Sequence, residues 1–201
     1  MAMTDGINGG KMAYILLRDA RQRKTRDKLF KALLELSKEK PVAMMTVADI
    51  AGRAGTTRQV FYKYYKTAFE LFMDMQEDFF VGLQQHLKDI PPNIFEITPM
   101  LLGFIDSHKD LIRVTFQNRG TGNLIDKTID FMHNAYRKDW LQANPLMSAE
   151  SVDMLFYYVT AGLTGIIYYW LFVSPNMSLE EVTAKAGYLL NLSTPNNMAS
   201  S

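Results

Sequence analysis

Side chains that ordinarily carry covalent or metal chemistry are sparse in this chain. It has no cysteine and only three histidines, His86, His108 and His133. That excludes a disulfide framework, a thiolate metal site and a cysteine nucleophile. No glycine-rich phosphate loop, nucleophile elbow or His-Glu-x-x-His pattern occurs in it. Asp126 and Asp130 stand i, i+4 with Lys127 between them, which is most simply a solvated helix edge. No catalytic residue, metal or cofactor is expected, and the chain reads as a non-enzyme. What is dense instead is positive charge at the front. Met1 to Lys66 holds 14 Lys and Arg against 6 Asp and Glu, and Thr67 to Ser201 holds 8 against 15. The total of +1 therefore conceals a front third at +8 and a remainder at −7. Such asymmetry implies that the front meets a polyanion while the rest has another task.

The elements that would position this charge can be placed by spacing. Thr46 to Tyr62 (TVADIAGRAGTTRQVFY) divides into two short helical segments, Thr46 to Ala54 and Thr57 to about Tyr64. Two helices about three residues apart make a helix-turn-helix. Ala51 permits close crossing, Gly55 suits a left-handed turn, and Ile50, Ala54 and Phe61 would fill the small core between them. A basic helix from about Asp19 to Glu39, apolar at Leu29, Leu33 and Leu36, packs behind until Pro41 stops it.

Helical spacing of apolar residues continues through the rest. Helices are predicted from Ala68 to Leu87, Lys109 to Gln117, about Ile125 to Trp140, and Ser148 to Val173. Thr98-Pro99 reads as an N-cap and first helical residue. Ser178 with Glu181 makes a capping box for the last helix. Pro91-Pro92, Gly120, Gly122, Asn144-Pro145 and Pro175 mark breaks. The predicted fold is all-α with about nine helices. It comprises an N-terminal three-helix helix-turn-helix domain over 11–66 and a C-terminal helical domain over 67–195.

Met154 to Val173 is 20 residues without a formal charge, about the length of a membrane span. Its near flanks are acidic or neutral and supply no basic anchor. A helix buried on most of its sides is expected, and no membrane partner. Ile15-Leu16-Leu17 lacks the longer apolar run of a secretory signal, so the expected location is cytoplasmic.

The run MTVADIAGRAGTTRQVFYKYYKTAFELF resembles the DNA-binding region of the TetR family of transcriptional regulators. In that pattern a Thr-initiated helix leads through Ile-Ala and Ala-Gly to a recognition helix with an aromatic-Tyr pair. A basic-aromatic segment then enters the fourth helix. The match covers roughly Arg26 to Phe72. The resemblance implies that the recognition helix starts at Thr57 and that Thr57, Arg58 and Gln59 read bases. Their chemistry agrees, since Arg prefers the two acceptors of guanine and Gln can pair with adenine. Tyr62, Lys63, Tyr64 and Lys66 match positions that hold phosphates, and Thr46 would offer its hydroxyl and a helix N-terminus to another. Three positions depart from the pattern. Thr56 replaces a β-branched aliphatic residue, Tyr64 a common histidine, and Ala68 a frequent phosphate-binding lysine. Lys11, Arg18, Arg21, Arg23 and Lys24 would add general attraction.

The resemblance also implies a homodimer paired through its last two helices on double-stranded operator DNA, with half-sites about 34–36 Å apart. Ala161, Gly162, Gly165 and Ala186 offer small surfaces there, and Ile166, Tyr169, Leu189 and Leu190 offer apolar area. The family's usual sensor is a pocket within the middle helices. Phe104, Phe116, Met132, Tyr136, Trp140, Phe156 and Tyr157 are spread along helices that could enclose a small apolar or aromatic effector. Core packing alone would account for any one of them. The resulting expectation is a repressor released by an effector. The alternatives are a constitutive DNA-binding regulator without a pocket, and a helical protein anchored in a membrane by Met154–Val173.

Overall fold

The computed structural model describes residues 22–90, 93–118 and 124–193. The expected basic arm at Lys11, Arg18 and Arg21, the Pro91-Pro92 stop and the Gly120/Gly122 break lie outside them. Among the described residues there are nine α-helices and no strand. They are α1 (22–36), α2 (Val47–Arg53), α3 (Arg58–Tyr62), α4 (Ala68–Leu87), α5 (Ile94–Asp106), α6 (Lys109–Gln117), α7 (Leu124–Ala143), α8 (Ala149–Tyr168) and α9 (Leu179–Ser193). A 3₁₀ turn at Val42–Met44 precedes α2, and a π-helical turn at Tyr169–Val173 extends α8.

The chain forms two compact units that meet within α4, after Met75. The boundary therefore lies beyond the 66/67 position expected from sequence. The reason is burial: Ala68, Leu71, Phe72 and Met75, on the first turns of α4, are core residues of the N-terminal unit. Leu29, Ala32, Leu33 and Leu36 of α1 join them at i, i+3, i+4, i+7 spacing, with Ile50, Ala51 and Phe61 from α2 and α3. Ala54, expected in this core, is only half-buried because it caps α2.

In the C-terminal unit α5 packs on α9, α7 on α8, and α8 on α9. Helix α5 begins earlier than its sequence suggested. Asn93 is the N-cap, with Oδ1 accepting from Phe95 N at 2.9 Å, and Pro99 lies inside the helix. Burial of Ile94 and Ile97 in that first stretch offsets the backbone bond that Pro99 cannot make. The capping box of α9 forms as expected: Ser178 Oγ accepts from Glu181 N at 3.1 Å, and Glu181 Oε2 accepts from Ser178 N at 2.9 Å.

Helix α8 departs from expectation. It buries one stripe, Val152, Phe156, Val159, Leu163 and Ile167, and leaves Met154, Tyr157, Tyr158, Tyr168 and Tyr169 exposed. With its extension, Ala149–Val173 is long and apolar enough to cross a bilayer, and a third of its most apolar window is buried. Ala186 and Leu190 of α9 also correct an expectation. They form its inward stripe with Val182 and are buried within their own unit.

Candidate nucleic-acid interface and apolar cavity

Local backbone chemistry builds the helix-turn-helix. Thr46 caps α2: its Oγ1 accepts from Asp49 N at 3.1 Å, while Asp49 Oδ2 accepts from Thr46 N at 2.9 Å. Lys40 Nζ donates to the same carboxylate oxygen at 2.6 Å. Together the lysine and Thr46 hold the Asp49 carboxyl at a pKa of about 2. The Thr46 hydroxyl and backbone N–H are thus both engaged with Asp49. Gly55 then ends α2 at φ 61°. Thr56 N donates to Ala51 O at 2.9 Å and Gly55 N to Gly52 O at 3.1 Å, a Schellman turn that reverses the chain into α3.

Thr57 caps α3 through a 3.3 Å bond from Val60 N to its Oγ1. This leaves Arg58 and Gln59 as the first helical residues, both exposed. Arg53 is occupied by Glu39 at 2.7 Å, whereas Arg58 has no ion pair among the described residues. Phe61 is fully buried and anchors the helix from beneath, edge-on to Tyr62 with ring centroids 6.0 Å apart. Tyr62 is 59% exposed, which removes it from the core. Lys63 and Lys66 are exposed and Tyr64 is half-buried.

Sequence reasoning named Lys24 for general attraction only, and it missed two features of this unit, a cleft and a clamp. Lys24 and Lys28, one turn apart on α1, line a cleft with Thr56, Val60, Lys63 and Tyr64. Three ammonium groups on one concavity suit a polyanion backbone. The i, i+4 spacing of the lysines, away from the Leu29/Leu33 stripe, is the signal that would have found them. The second is a clamp at the foot of α4. Arg26 Nε donates to Asp74 Oδ2 at 2.7 Å and to the Tyr65 hydroxyl at 3.2 Å, and that hydroxyl donates to Asp74. Burial pushes the Asp74 pKa up, but these hydrogen bonds outweigh it and the net displacement is downward. Tyr65, buried and bonded to a carboxylate, is displaced upward and keeps its proton.

The C-terminal unit holds a cavity of about 100 Å3. Phe116, Met132, Tyr136, Trp140 and Phe156 line it, as does a wider set of aliphatic residues from α4, α5, α7 and α8. Two aromatic residues expected there do not. Phe104 packs between His86 and His108, at 5.1 and 4.5 Å, and against Phe79 at 5.0 Å. Tyr157 faces outward, 49% exposed and stacked on His133 at 5.6 Å. Beside that stack, Asp153 accepts from Arg137 Nε at 2.7 Å and its terminal nitrogen at 3.0 Å, and lies 2.9 Å from His133 Nε2. The arginine, then the histidine, hold the Asp153 pKa at about 2. No cluster of three potential metal ligands occurs among the described residues.

Of the residues expected at a dimer surface, Gly162, Gly165, Tyr169 and Leu189 are exposed and Ile166 is half-buried. Tyr158, Tyr188 and Leu192 extend the same kind of surface on α8 and α9.

Comparison with known proteins agrees with this architecture. A TetR-type family model describing a transcriptional regulator C-terminal region matches residues 92–192. The chain is 25% identical over 170 residues to the HTH-type transcriptional regulator YxbF of Bacillus subtilis, covering 80% of this chain. It spans only 43% of that relative's length. A TerR/AcrR-family transcriptional regulator from Aquifex aeolicus superposes with a TM-score of 0.70 at 19% identity, covering 85% of this chain and 99% of that one. A TetR-family regulator from Syntrophomonas wolfei gives 0.68 at 14% identity, covering 87% and 97%. These two likenesses are of fold.

Proposed function

This chain belongs to the TetR family of transcriptional regulators, and we propose that it is a homodimeric repressor which a small-molecule effector releases from operator DNA. The observation that carries the DNA-reading part is α3. Its first turn presents Thr57, Arg58 and Gln59 beyond a helix anchored by Phe61. Arg58 and Gln59 address base edges, with the Thr57 hydroxyl beside them. Tyr62, Lys63, Tyr64, Lys66 and Thr46 grip phosphates. Lys24 and Lys28 extend that grip along α1. We place its work on DNA in the cytoplasm and propose no catalytic role.

Pairing through α8 and α9 is supported by what their outer faces expose. A Cβ placed on Gly162 or Gly165 would meet nothing within 4 Å. The chain's own packing therefore does not demand glycine there, whereas close approach of a second copy would. Tyr158, Tyr169, Tyr188, Leu189 and Leu192 surround them with apolar area. In this reading the outer face of α8 meets a partner protomer and no lipid. The cavity supports the effector role over constitutive binding. A gap of about 100 Å3 among apolar side chains leaves room for an occupant, which would add packing contacts there. An occupant preferring one conformation would shift the balance between DNA-bound and free states.

Selection of bound sequences from a random double-stranded pool tests the reading. Enrichment of an inverted repeat with half-sites about one helical turn apart is expected. Failure to enrich any sequence would refute DNA reading, and enrichment of a single half-site would refute the dimer. The recovered operator then serves to screen for compounds that release the protein.

A further inference from the structure

We infer that Arg26, Tyr65 and Asp74 are positioning residues for base reading: together they fix the direction in which α3 presents Arg58 and Gln59. This rests on the DNA-reading part of the proposal above and adds to it a set of residues that need touch no DNA. Length sets the problem. Helix α3 has only five residues, Arg58–Tyr62, too few to hold a direction by itself. The Gly55 turn joins its front to α2, and Phe61 anchors it from beneath. Its far end needs a hold of its own.

Tyr65 supplies that hold. Its backbone N–H donates to Phe61 O at 3.0 Å, and Tyr64 N donates to the same oxygen at 2.9 Å, so both continue the last turn of α3. Its ring packs on Phe61 and Tyr64, with centroids 5.9 and 6.3 Å away. Its hydroxyl enters a closed polar triangle. Arg26 Nε donates to that hydroxyl at 3.2 Å and to Asp74 Oδ2 at 2.7 Å, and the hydroxyl donates to the same carboxylate oxygen. Arg26 comes from α1, where its guanidinium also lies 4.8 Å from the centre of the Phe30 ring. Asp74 comes from α4, and all three residues belong to the N-terminal unit. One phenol oxygen thus ties the tail of α3 to two helices distant in sequence.

Burial does not account for the triangle. Tyr65 is 6% exposed, and a phenylalanine could pack its ring on Phe61 and Tyr64 equally well, so the hydroxyl serves direction. The ion pair adds little stability, because the Arg26 and Asp74 side chains are 31% and 34% exposed. Direction matters most for base edges, where paired hydrogen bonds tolerate little misalignment. Attraction to the phosphate backbone survives a tilt of the helix.

Two variants of the full chain test this. Tyr65→Phe keeps the ring and removes the shared hydroxyl, and Asp74→Asn keeps the shape and removes the charge. Each is titrated by fluorescence anisotropy against the selected operator and a scrambled duplex of equal length, with the folded fraction read from melting curves. The ratio of operator to scrambled affinity is expected to fall roughly tenfold in both, the worth of one hydrogen bond to a charged group. A purely structural role would lower the folded fraction and weaken both duplexes alike, leaving the ratio unchanged. If the triangle acts through α3, Tyr65→Phe combined with Arg58→Ala loses less of that ratio than the product of the single losses. A ratio unchanged in both single variants, or losses that multiply independently in the double variant, would overturn the inference and leave DNA reading intact. A wild-type chain that preferred no duplex would overturn the DNA reading and the inference together.

Discussion

In the N-terminal unit the residues assigned to function, Arg58, Gln59, Lys63 and Lys66, are exposed polar side chains, and the core beneath them only sets their direction. In the C-terminal unit the corresponding residues, Met132, Tyr136, Trp140 and Phe156, are the core. In the proposed function one unit works through groups that reach out to a polyanion, and the other through a gap in its own packing. Stability and function are therefore separable in the first unit. In the second they are properties of the same side chains. Mutations should respect that division.

The largest effects fall on cores. Phe61→Ala removes a fully buried ring and should cost about 3–5 kcal/mol. Operator binding and urea resistance should be lost together, checked by fluorescence anisotropy alongside denaturation. Met132→Ala also costs stability, but it enlarges the cavity. It should retain operator binding at low temperature while accepting a larger neutral ligand than wild type. If Met132→Ala abolished DNA binding under conditions where the chain is folded, the division between the units would fail.

Smaller effects are expected at the surface of the reading unit. Arg58→Ala should cost about 1–3 kcal/mol of operator affinity and relax preference at one base pair, with the melting temperature unchanged. Lys66→Ala should weaken binding to all sequences alike and reduce the salt slope by about one. A titration in which Arg58→Ala binds its operator as wild type does would overturn the base-reading assignment. Gly55→Ala tests the scaffold between these residues. A Cβ there meets nothing within 4 Å, yet φ is 61°. The cost should thus be conformational only, about 1–2 kcal/mol, and appear in melting temperature before operator affinity.

The same division explains what could be read before the structure was known. Caps, turns and a recognition helix depend on residues a few positions apart, so Thr46, Gly55 and Thr57 announced their roles locally. Ser178 with Glu181 did so for α9. A cavity depends on which distant helices meet, and nothing local distinguishes Phe104, packed between histidines, from Phe116, which lines the cavity. Ala186 and Leu190 misled for a related reason. Small and apolar residues suit a partner's surface or a neighbouring helix equally, and only the face of α9 decides between them. Asn93 began α5 because a cap bond and buried Ile94 and Ile97 outweighed the Thr98-Pro99 signal. The Lys24/Lys28/Lys63 cleft was missed because it joins two helices that are distant in sequence.

The least costly probe of the comparison uses a feature the units share. Asp49 and Asp153 each have a pKa held at about 2, the first by Lys40 and the cap at Thr46, the second by Arg137 and His133. A carboxylate whose folded pKa lies below its unfolded value near 3.8 stabilises the fold above that value. The contribution disappears as pH falls towards 2. Both carboxylates are partly open to solvent, so each effect should be small. Asp49→Asn and Asp153→Asn should lower the melting temperature near neutral pH and converge on wild type by pH 2. Melting curves between pH 2 and 6 measure this directly. Asp49→Asn should also weaken operator binding at neutral pH, because it loosens the cap that orients Thr46. Asp153→Asn should leave operator binding intact and alter only the α7–α8 pairing beside the cavity. An Asp153→Asn protein that lost DNA affinity without losing stability would link the two units more closely than their separate chemistries require.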